Sequence, residues 1–201
     1  MHPNPIYRAA GTDKNLAFAG ARGFGALTVN ARGGPIAAHV PFVLGDGRVD
    51  MHLVRSNPIA RMLNEPLPAL LAVTGPDGYV SPDWYGLGHD QVPTWNYVSV
   101  HVRGQLELRP AEELRAQIDA LSARFEERLP KTPWRTDKMP EDALARMMRA
   151  IVPVRLTITS VDGTWKLNQN KPDAARLAAA DAIDGSIGQE LAALAALMRD
   201  P

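Results

Sequence analysis

Apolar and polar positions alternate with a period of two through the first half of the chain, which predicts strands joined by tight turns. Residues 26–30 are a strand candidate ended by Arg32-Gly33-Gly34-Pro35, a cluster that leaves no room for a helix. Residues 36–44 follow as a second strand, and Gly45-Asp46-Gly47 predicts a hairpin because glycine supplies the positive φ such turns demand. Residues 48–54 return, with Val49, Met51 and Leu53 alternating against Arg48, Asp50 and His52. A short helix is expected over 56–63, with Asn57 as its N-cap and Pro58 at the first helical position, where a missing N–H costs nothing. Residues 70–74 predict another strand, turned by Gly75-Pro76-Asp77-Gly78 into Tyr79-Val80-Ser81. Residues 82–96 predict an irregular loop that holds two of the four Trp residues. Residues 97–108 are expected to be the longest strand, with Val98, Val100 and Val102 on one face and Tyr97, Ser99, His101 and Arg103 on the other.

After Pro110 the period changes. Leu114, Ile118, Leu121 and Phe125 mark an amphipathic helix over about 111–129, and 141–150 predicts a second. Val154, Leu156 and Ile158 alternate with Arg155, Thr157 and Thr159 in a further strand, which Asp162-Gly163 is expected to turn into 164–167. Beyond the alanine-rich stretch 174–182, Ile187, Leu191, Leu194 and Met198 predict a final amphipathic helix. About seven strands in hairpin order, with helices inserted and appended, indicate an antiparallel β-barrel with helices, hence α+β.

The 201 residues suffice for one large domain or at most two small ones, with a core that needs no covalent staples. Hydrophobic residues at 45% and charged residues at 22% exclude a disordered chain. The 22 Lys and Arg balance 22 Asp and Glu, which argues against a strongly basic nucleic-acid binder and a polybasic membrane clamp. With no Cys there is no disulfide framework, thiolate metal site or Cys nucleophile. The N-terminal Met1-His2-Pro3-Asn4-Pro5 has no signal-peptide pattern, and no apolar stretch approaches the ~20 residues that span a bilayer. A cytoplasmic protein without a membrane segment is expected.

Rossmann, P-loop, zinc-protease and serine-hydrolase motifs are all missing. His39, His52 and His101 lie on separate candidate strands without regular ligand spacing, so they are taken as individual polar histidines and no metal is expected. Arg55-Ser56-Asn57-Pro58 stands at a strand-to-helix junction, where unpaired N–H groups and the helix dipole join Arg and Ser donors; it outlines a phosphate site, although a simple capped helix is the commoner meaning of such a junction. Trp95-Asn96 and Lys166-Leu167-Asn168-Gln169-Asn170-Lys171 bring amides that can read a heterocycle edge beside an aromatic that can stack on its face. Each cluster is also what a turn or a surface network looks like.

Six blocks occur in an order characteristic of one family: Ala38-His39-Val40-Pro41, His52-Leu53-Val54-Arg55-Ser56-Asn57-Pro58, Tyr79-Val80-Ser81-Pro82-Asp83-Trp84-Tyr85, Val92-Pro93-Thr94-Trp95-Asn96-Tyr97, Val100-His101-Val102-Arg103-Gly104 and Trp165-Lys166-Leu167-Asn168-Gln169-Asn170-Lys171. The chain resembles the PaiB-type FMN-binding negative transcriptional regulators from about residue 5 to about 172. The resemblance implies an antiparallel split β-barrel related to pyridoxamine-phosphate oxidase and flavin reductases, homodimeric, with FMN where the subunits meet. It implies a flavin-binding domain over 1–172, with a helical insertion at about 111–150, and a helical tail over 173–201. By position it assigns Arg55, Ser56 and Asn57 to the flavin phosphate, His39 to the strand facing it, and Trp95, Asn96, Lys166 and Gln169 to the surroundings of the isoalloxazine. Asn168 and Lys171 stand where the family commonly has Ser and Arg, and the sequence after Pro172 departs from the family pattern.

Two functions follow from these expectations. One is an FMN-binding regulator that acts without specific DNA binding, since the helix over 111–129 carries Glu112, Glu113, Glu126 and Glu127, which repel phosphate. The other is a flavin-dependent oxidoreductase of the pyridoxamine-phosphate-oxidase or flavin-reductase type. There the flavin carries the redox chemistry, so no acid–base motif is required.

Overall fold

Alternating burial along seven strands sets the architecture of the computed structural model, which describes residues 1–201. The strands are β1 (Phe24–Ala31), β2 (Gly34–Gly45), β3 (Arg48–Val54), β4 (Leu67–Val80), β5 (Thr94–Leu108), β6 (Ile151–Lys166) and β7 (Gly188–Gln189). The helices are α1 (Thr12–Arg22), α2 (Pro58–Met62), α3 (Leu114–Glu126), α4 (Glu141–Met148), α5 (Asp173–Ala182) and α6 (Leu191–Arg199). Hydrogen bonds join the strands in the order β1-β2-β3-β6-β5-β4-β7, and β4 also pairs with β1, so six strands close a ring. The fold is an α+β antiparallel split β-barrel, and the chain divides into two compact units.

The second unit comprises Leu16–Val73 and His101–Val161. Leu27, Val29, Val40, Phe42, Val49, Met51, Leu53, Leu71, Val102, Leu106, Val154 and Leu156 are all buried, each worth about 1.5–3 kcal/mol relative to exposure. Two glycines let strands approach closely. A Cβ on Gly104 would overlap the Thr157 carbonyl, and one on Gly25 would stand 2.8 Å from the Ala72 carbonyl oxygen, beside the Ala26–Ala72 pair that closes the ring. The helical insertion is fastened by an alternating chain of charges. Arg48 pairs with Asp50 at 3.1 Å, Asp50 with Arg155 at 2.6 Å and Arg155 with Glu113 at 3.0 Å; Glu113 then pairs with Arg109 and Arg109 with Glu107, both at 2.8 Å.

The first unit comprises Met1–Asn15, Thr74–Val100 and Asp162–Pro201, so the C-terminal helices belong with the middle of the chain. Around its C-terminal helices the packing is by small residues, with Ala175, Ala179, Ala180 and Ala195 buried together with Ile183, Leu194 and Met198, and Tyr85, Trp165 and Leu167 are buried elsewhere in the unit. Arg176, 9% exposed, donates to the carbonyls of Met198 and Arg199 at 2.5 and 2.8 Å and so satisfies the C-terminal end of α6. The buried Asn15 accepts from Trp165 Nε1 at 2.8 Å and donates to the Ala10 carbonyl at 3.2 Å.

Several local expectations are corrected. Gly75-Pro76-Asp77-Gly78 does not turn; it runs inside β4. The buried positions there change from odd (Ala69, Leu71, Val73) to even (Pro76, Gly78, Val80), so the Gly-Pro step changes which face is covered rather than the direction of the chain. Asp162-Gly163 likewise lies inside β6, because a side chain at 163 would overlap the Asn15 amide. With 16 residues against 15, β6 and not β5 is the longest strand. The last helix begins at Leu191, which leaves Ile187 outside it and exposed. α1 and β7 were not foreseen. Gly23 at φ 62°, donating to the Ala19 carbonyl at 2.9 Å, ends α1 as a left-handed cap.

Half-buried on β3, opposite Pro153 of β6, His52 is pushed by desolvation below its ordinary pKa of 6.5. In the unfolded chain the imidazole protonates near 6.5, while the folded state resists it. The unfolded chain therefore binds more protons in that window, and stability present above pH 6.5 is lost as pH falls through 6.5 towards the lower folded value. Urea unfolding at a series of pH values should show the midpoint dropping below about pH 6.5, with a smaller drop in His52→Asn; an identical drop in both proteins would rule His52 out as the source.

Candidate functional site

The eight residues singled out by sequence divide between the two units. His39, Arg55, Ser56 and Asn57 belong to the second, and Trp95, Asn96, Lys166 and Gln169 to the first.

In the second unit, His39 stands exposed on β2 and stacks on the ring of Phe24 from β1, with centroids 6.3 Å apart and planes at 24°. Phe24 is itself 53% exposed. Arg55 and Ser56 follow β3 directly, both exposed. The Arg55 guanidinium donates to the carbonyls of Arg149 (3.0 Å) and Ile151 (3.3 Å), and the Arg55 amide donates to the Ala150 carbonyl at 2.8 Å. The head group is thus held in one place by the start of β6. Asn57 caps α2 as expected, its Oδ1 accepting from the Ile59 amide at 2.9 Å.

In the first unit, Trp95 stands on β5 with 45% of its surface exposed, and its ring meets Tyr79 edge-on, centroids 6.4 Å apart at 76°. It lines an open cleft of about 400 Å³, whose other walls are Thr74, Gly75 and Asp77 of β4 and Tyr97, Val98 and Ser99 of β5. A half-exposed indole beside a few polar groups is what a flat heterocycle requires: a face for stacking and edges for hydrogen bonds.

Asn96, next along β5, falls on the opposite face. It is fully buried, in line with Val98 and Val100, and neither of its amide atoms has a hydrogen-bond partner. Such an orphan costs about 1–3 kcal/mol unless something pairs it.

Lys166 ends β6. Its ammonium contacts Thr94 Oγ1 and lies 6.0 Å from the Tyr7 ring centroid, and burial pushes its pKa down. Gln169 spends its amide locally, accepting from the Leu167 amide at 2.7 Å and donating to the Trp165 carbonyl at 2.5 Å, so it braces the turn after β6. Asn168 occupies the left-handed region at φ 65° and accepts from the buried Tyr85 hydroxyl at 3.4 Å. Burial raises the pKa of Tyr85, against the smaller opposing effect of that bond. Lys171 lies 4.9 Å from the Tyr85 ring centroid.

Arg55 therefore offers a fixed cation, Asn57 a structural cap, Trp95 an open stacking face and Gln169 a brace. The cleft walls Thr74 and Asp77, and Tyr79 against which Trp95 rests, were not among the site residues expected from sequence. Tyr97 and Ser99 carried a signal, since alternation already put them on the polar face of the strand expected over 97–108; that β5 starts at Thr94 and brings Trp95 onto the same face was not expected. Asp77 and Tyr79 were hidden by the apparent turn at 75–78.

In the first unit the cleft supplies aromatic surface and the Asp77 carboxylate, which suit a flat ring with N–H donors and disfavour phosphate. In the second unit Arg55 is a fixed cation that suits an anionic group. Asn96 holds an unpaired donor and acceptor in the same strand as Trp95.

Residues 1–160 match the model of a family described as "Putative FMN-binding domain". The chain is 24% identical over 206 residues to "Protease synthase and sporulation protein PAI 2" of Bacillus subtilis (strain 168), covering 100% of this chain and 97% of the relative. Among solved structures, the FAD and heme binding protein from Mycobacterium smegmatis aligns with a TM-score of 0.59 at 18% identity, over 80% of this chain and 73% of that one. The flavocytochrome Anf3 from Azotobacter vinelandii aligns with a TM-score of 0.58 at 19% identity, over 82% and 72% respectively. At these identities the structural likenesses show the fold alone.

Proposed function

The chain belongs to the FMN-binding domain family, and on that premise we propose that it is a homodimeric FMN-binding protein that acts without recognising a specific DNA sequence. The observation that carries the flavin reading is the cleft at Trp95, where an indole fixed edge-on by Tyr79 presents a free face to a planar ring. In the first unit, Trp95 takes the ring face, Lys166 supplies a polar contact, Gln169 holds the turn that carries Lys166, and Asn96, buried on the opposite face of β5, lies behind the strand. In the second unit, Arg55, Ser56 and Asn57 take the phosphate, with His39 on the strand facing it. Bound FMN would supply one- or two-electron redox chemistry; the residues named here bind and orient it. Residues 1–172 form the flavin-binding domain in this reading and 173–201 its helical tail. The exposed Phe24–His39 stack supports a second copy as partner.

The charge arrangement supports the absence of direct DNA reading. In the helical insertion Arg115 pairs with Asp119 at 2.9 Å, Arg146 with Asp142 at 2.6 Å, and Lys131 with Glu126. Cations already engaged with carboxylates are poor phosphate neutralisers, and the formal net charge is zero.

Three outcomes test this reading. FMN titration followed by flavin fluorescence should show saturable binding, weakened by about 1.5–3 kcal/mol in Arg55→Ala, the usual worth of hydrogen bonds to a charged group. Riboflavin, which lacks the phosphate, should be insensitive to Arg55→Ala; equal FMN affinity in wild type and variant would move the phosphate elsewhere. Light scattering should give twice the chain mass at micromolar concentration, and a monodisperse monomer would sink the dimer. In fluorescence anisotropy at near-physiological salt, no duplex should be held at the ~10⁻⁸–10⁻¹¹ M typical of specific sites. Competitor-resistant nanomolar binding to its own upstream region would make it a direct DNA reader.

A further inference from the structure

The family match ends at residue 160, yet the wall of the Trp95 cleft is held from beyond it. The segment 186–190 lies along β4 as a strap. Tyr79 is gripped on both sides of its backbone: its amide donates to the Ile187 carbonyl at 2.9 Å, and the Ser186 hydroxyl donates to its carbonyl at 2.5 Å. Asp77, which lines the cleft, pairs with Gln189, and Gly78 pairs with Gly188.

The two facing glycines set how closely the strap approaches. A Cβ on Gly188 would overlap the Asp77 carbonyl and stand 2.6 Å from Gly78 Cα, and its φ of 159° is one that L side chains rarely adopt. A Cβ on Gly78 would stand 2.9 Å from Leu194 Cδ2 and 3.0 Å from Leu191 Cδ2, so α6 also presses on the same point. The strap therefore fixes Asp77 and Tyr79, and Tyr79 is the ring against which Trp95 rests.

We infer that the C-terminal strap 186–190 is a positioning element of the ring-binding cleft, and that Ser186 is a positioning residue for flavin acting through Tyr79 on Trp95. The inference rests on the proposed flavin reading for its ligand. Pre-setting the indole means that less ordering is needed on binding, and affinity gained this way is independent of whatever holds the phosphate.

The test compares riboflavin and FMN on full-length wild type, Ser186→Ala, Ser186→Thr and Arg55→Ala, with hydrogen exchange at the Tyr79 amide measured in the ligand-free proteins. Loss of one hydrogen bond should weaken both flavins by the same factor, roughly three- to ten-fold, in Ser186→Ala. Ser186→Thr, which keeps the hydroxyl, should restore both affinities, and Tyr79 exchange should quicken only in Ser186→Ala. A folded Ser186→Ala with wild-type affinity for both flavins, or one that loses FMN alone as Arg55→Ala does, would overturn the proposal. Should the wild type bind neither flavin, the flavin reading fails. The strap is then judged by acrylamide quenching of the Trp95 emission, taken as the difference from Trp95→Phe: greater quenching in Ser186→Ala supports it, and unchanged quenching overturns it.

Discussion

The carbonyl oxygen of Thr157 lies where any side chain at position 104 would have to be, and the barrel depends on there being none. Strands that cross at close quarters can keep their ladders only if one of them gives up its Cβ. Gly25 does the same against Ala72 where β1 and β4 close the ring, and Gly78 with Gly188 does so beneath the strap. Each of these contacts admits backbone alone. The hydrophobic interior supplies the bulk of the driving force, but these few close approaches decide which strands lie together, and hence where Trp95 and Arg55 are carried.

The two units manage charge differently. In the second, most arginines of the insertion and its anchorage are matched to carboxylates over 2.6–3.2 Å, several within continuous networks. In the first, Lys14, Lys166 and Lys171 rest instead against the rings of Trp165, Tyr7 and Tyr85, at 4.7, 6.0 and 4.9 Å from their centroids. A cation over an aromatic face keeps its full charge, whereas one in an ion pair is locally cancelled. The first unit nonetheless carries the excess of carboxylates, 10 Asp and Glu against 6 Lys and Arg, and the second the excess of cations, 16 against 12, a division that the neutral total conceals.

Much of this architecture was legible in the sequence, because period-two alternation in β1, β2, β3 and β5 reports one buried face directly. Asn57 and Pro58 announced α2 through capping chemistry that acts within a few residues. The failures share one cause. Gly78 and Gly163 look like turn glycines, but their role is to admit Leu194 and Asn15, partners 116 and 148 positions away in the sequence that no local window contains. The candidate site suffered likewise. Trp95 was visible as an aromatic in a polar context, whereas Tyr79 and Asp77 acquire their place only once the strap lies beside β4. Asn96 was chosen for its amide, and the alternation of β5 turns that amide away from the face of its neighbour Trp95.

The chain of charges from Arg48 through Asp50, Arg155, Glu113 and Arg109 to Glu107 alternates in sign at every step. Each interior member has two partners, so a single substitution leaves every other interior member with one, and only an end, Arg48 or Glu107, is stranded when Asp50 or Arg109 goes. With Arg155 gone, Asp50 still has Arg48 and Glu113 still has Arg109. Such an anchorage tolerates loss around Glu113, which keeps Arg155 or Arg109 when the other goes; Glu113 itself is the insertion's one member, and its loss removes both of the ion pairs that hold the start of the insertion.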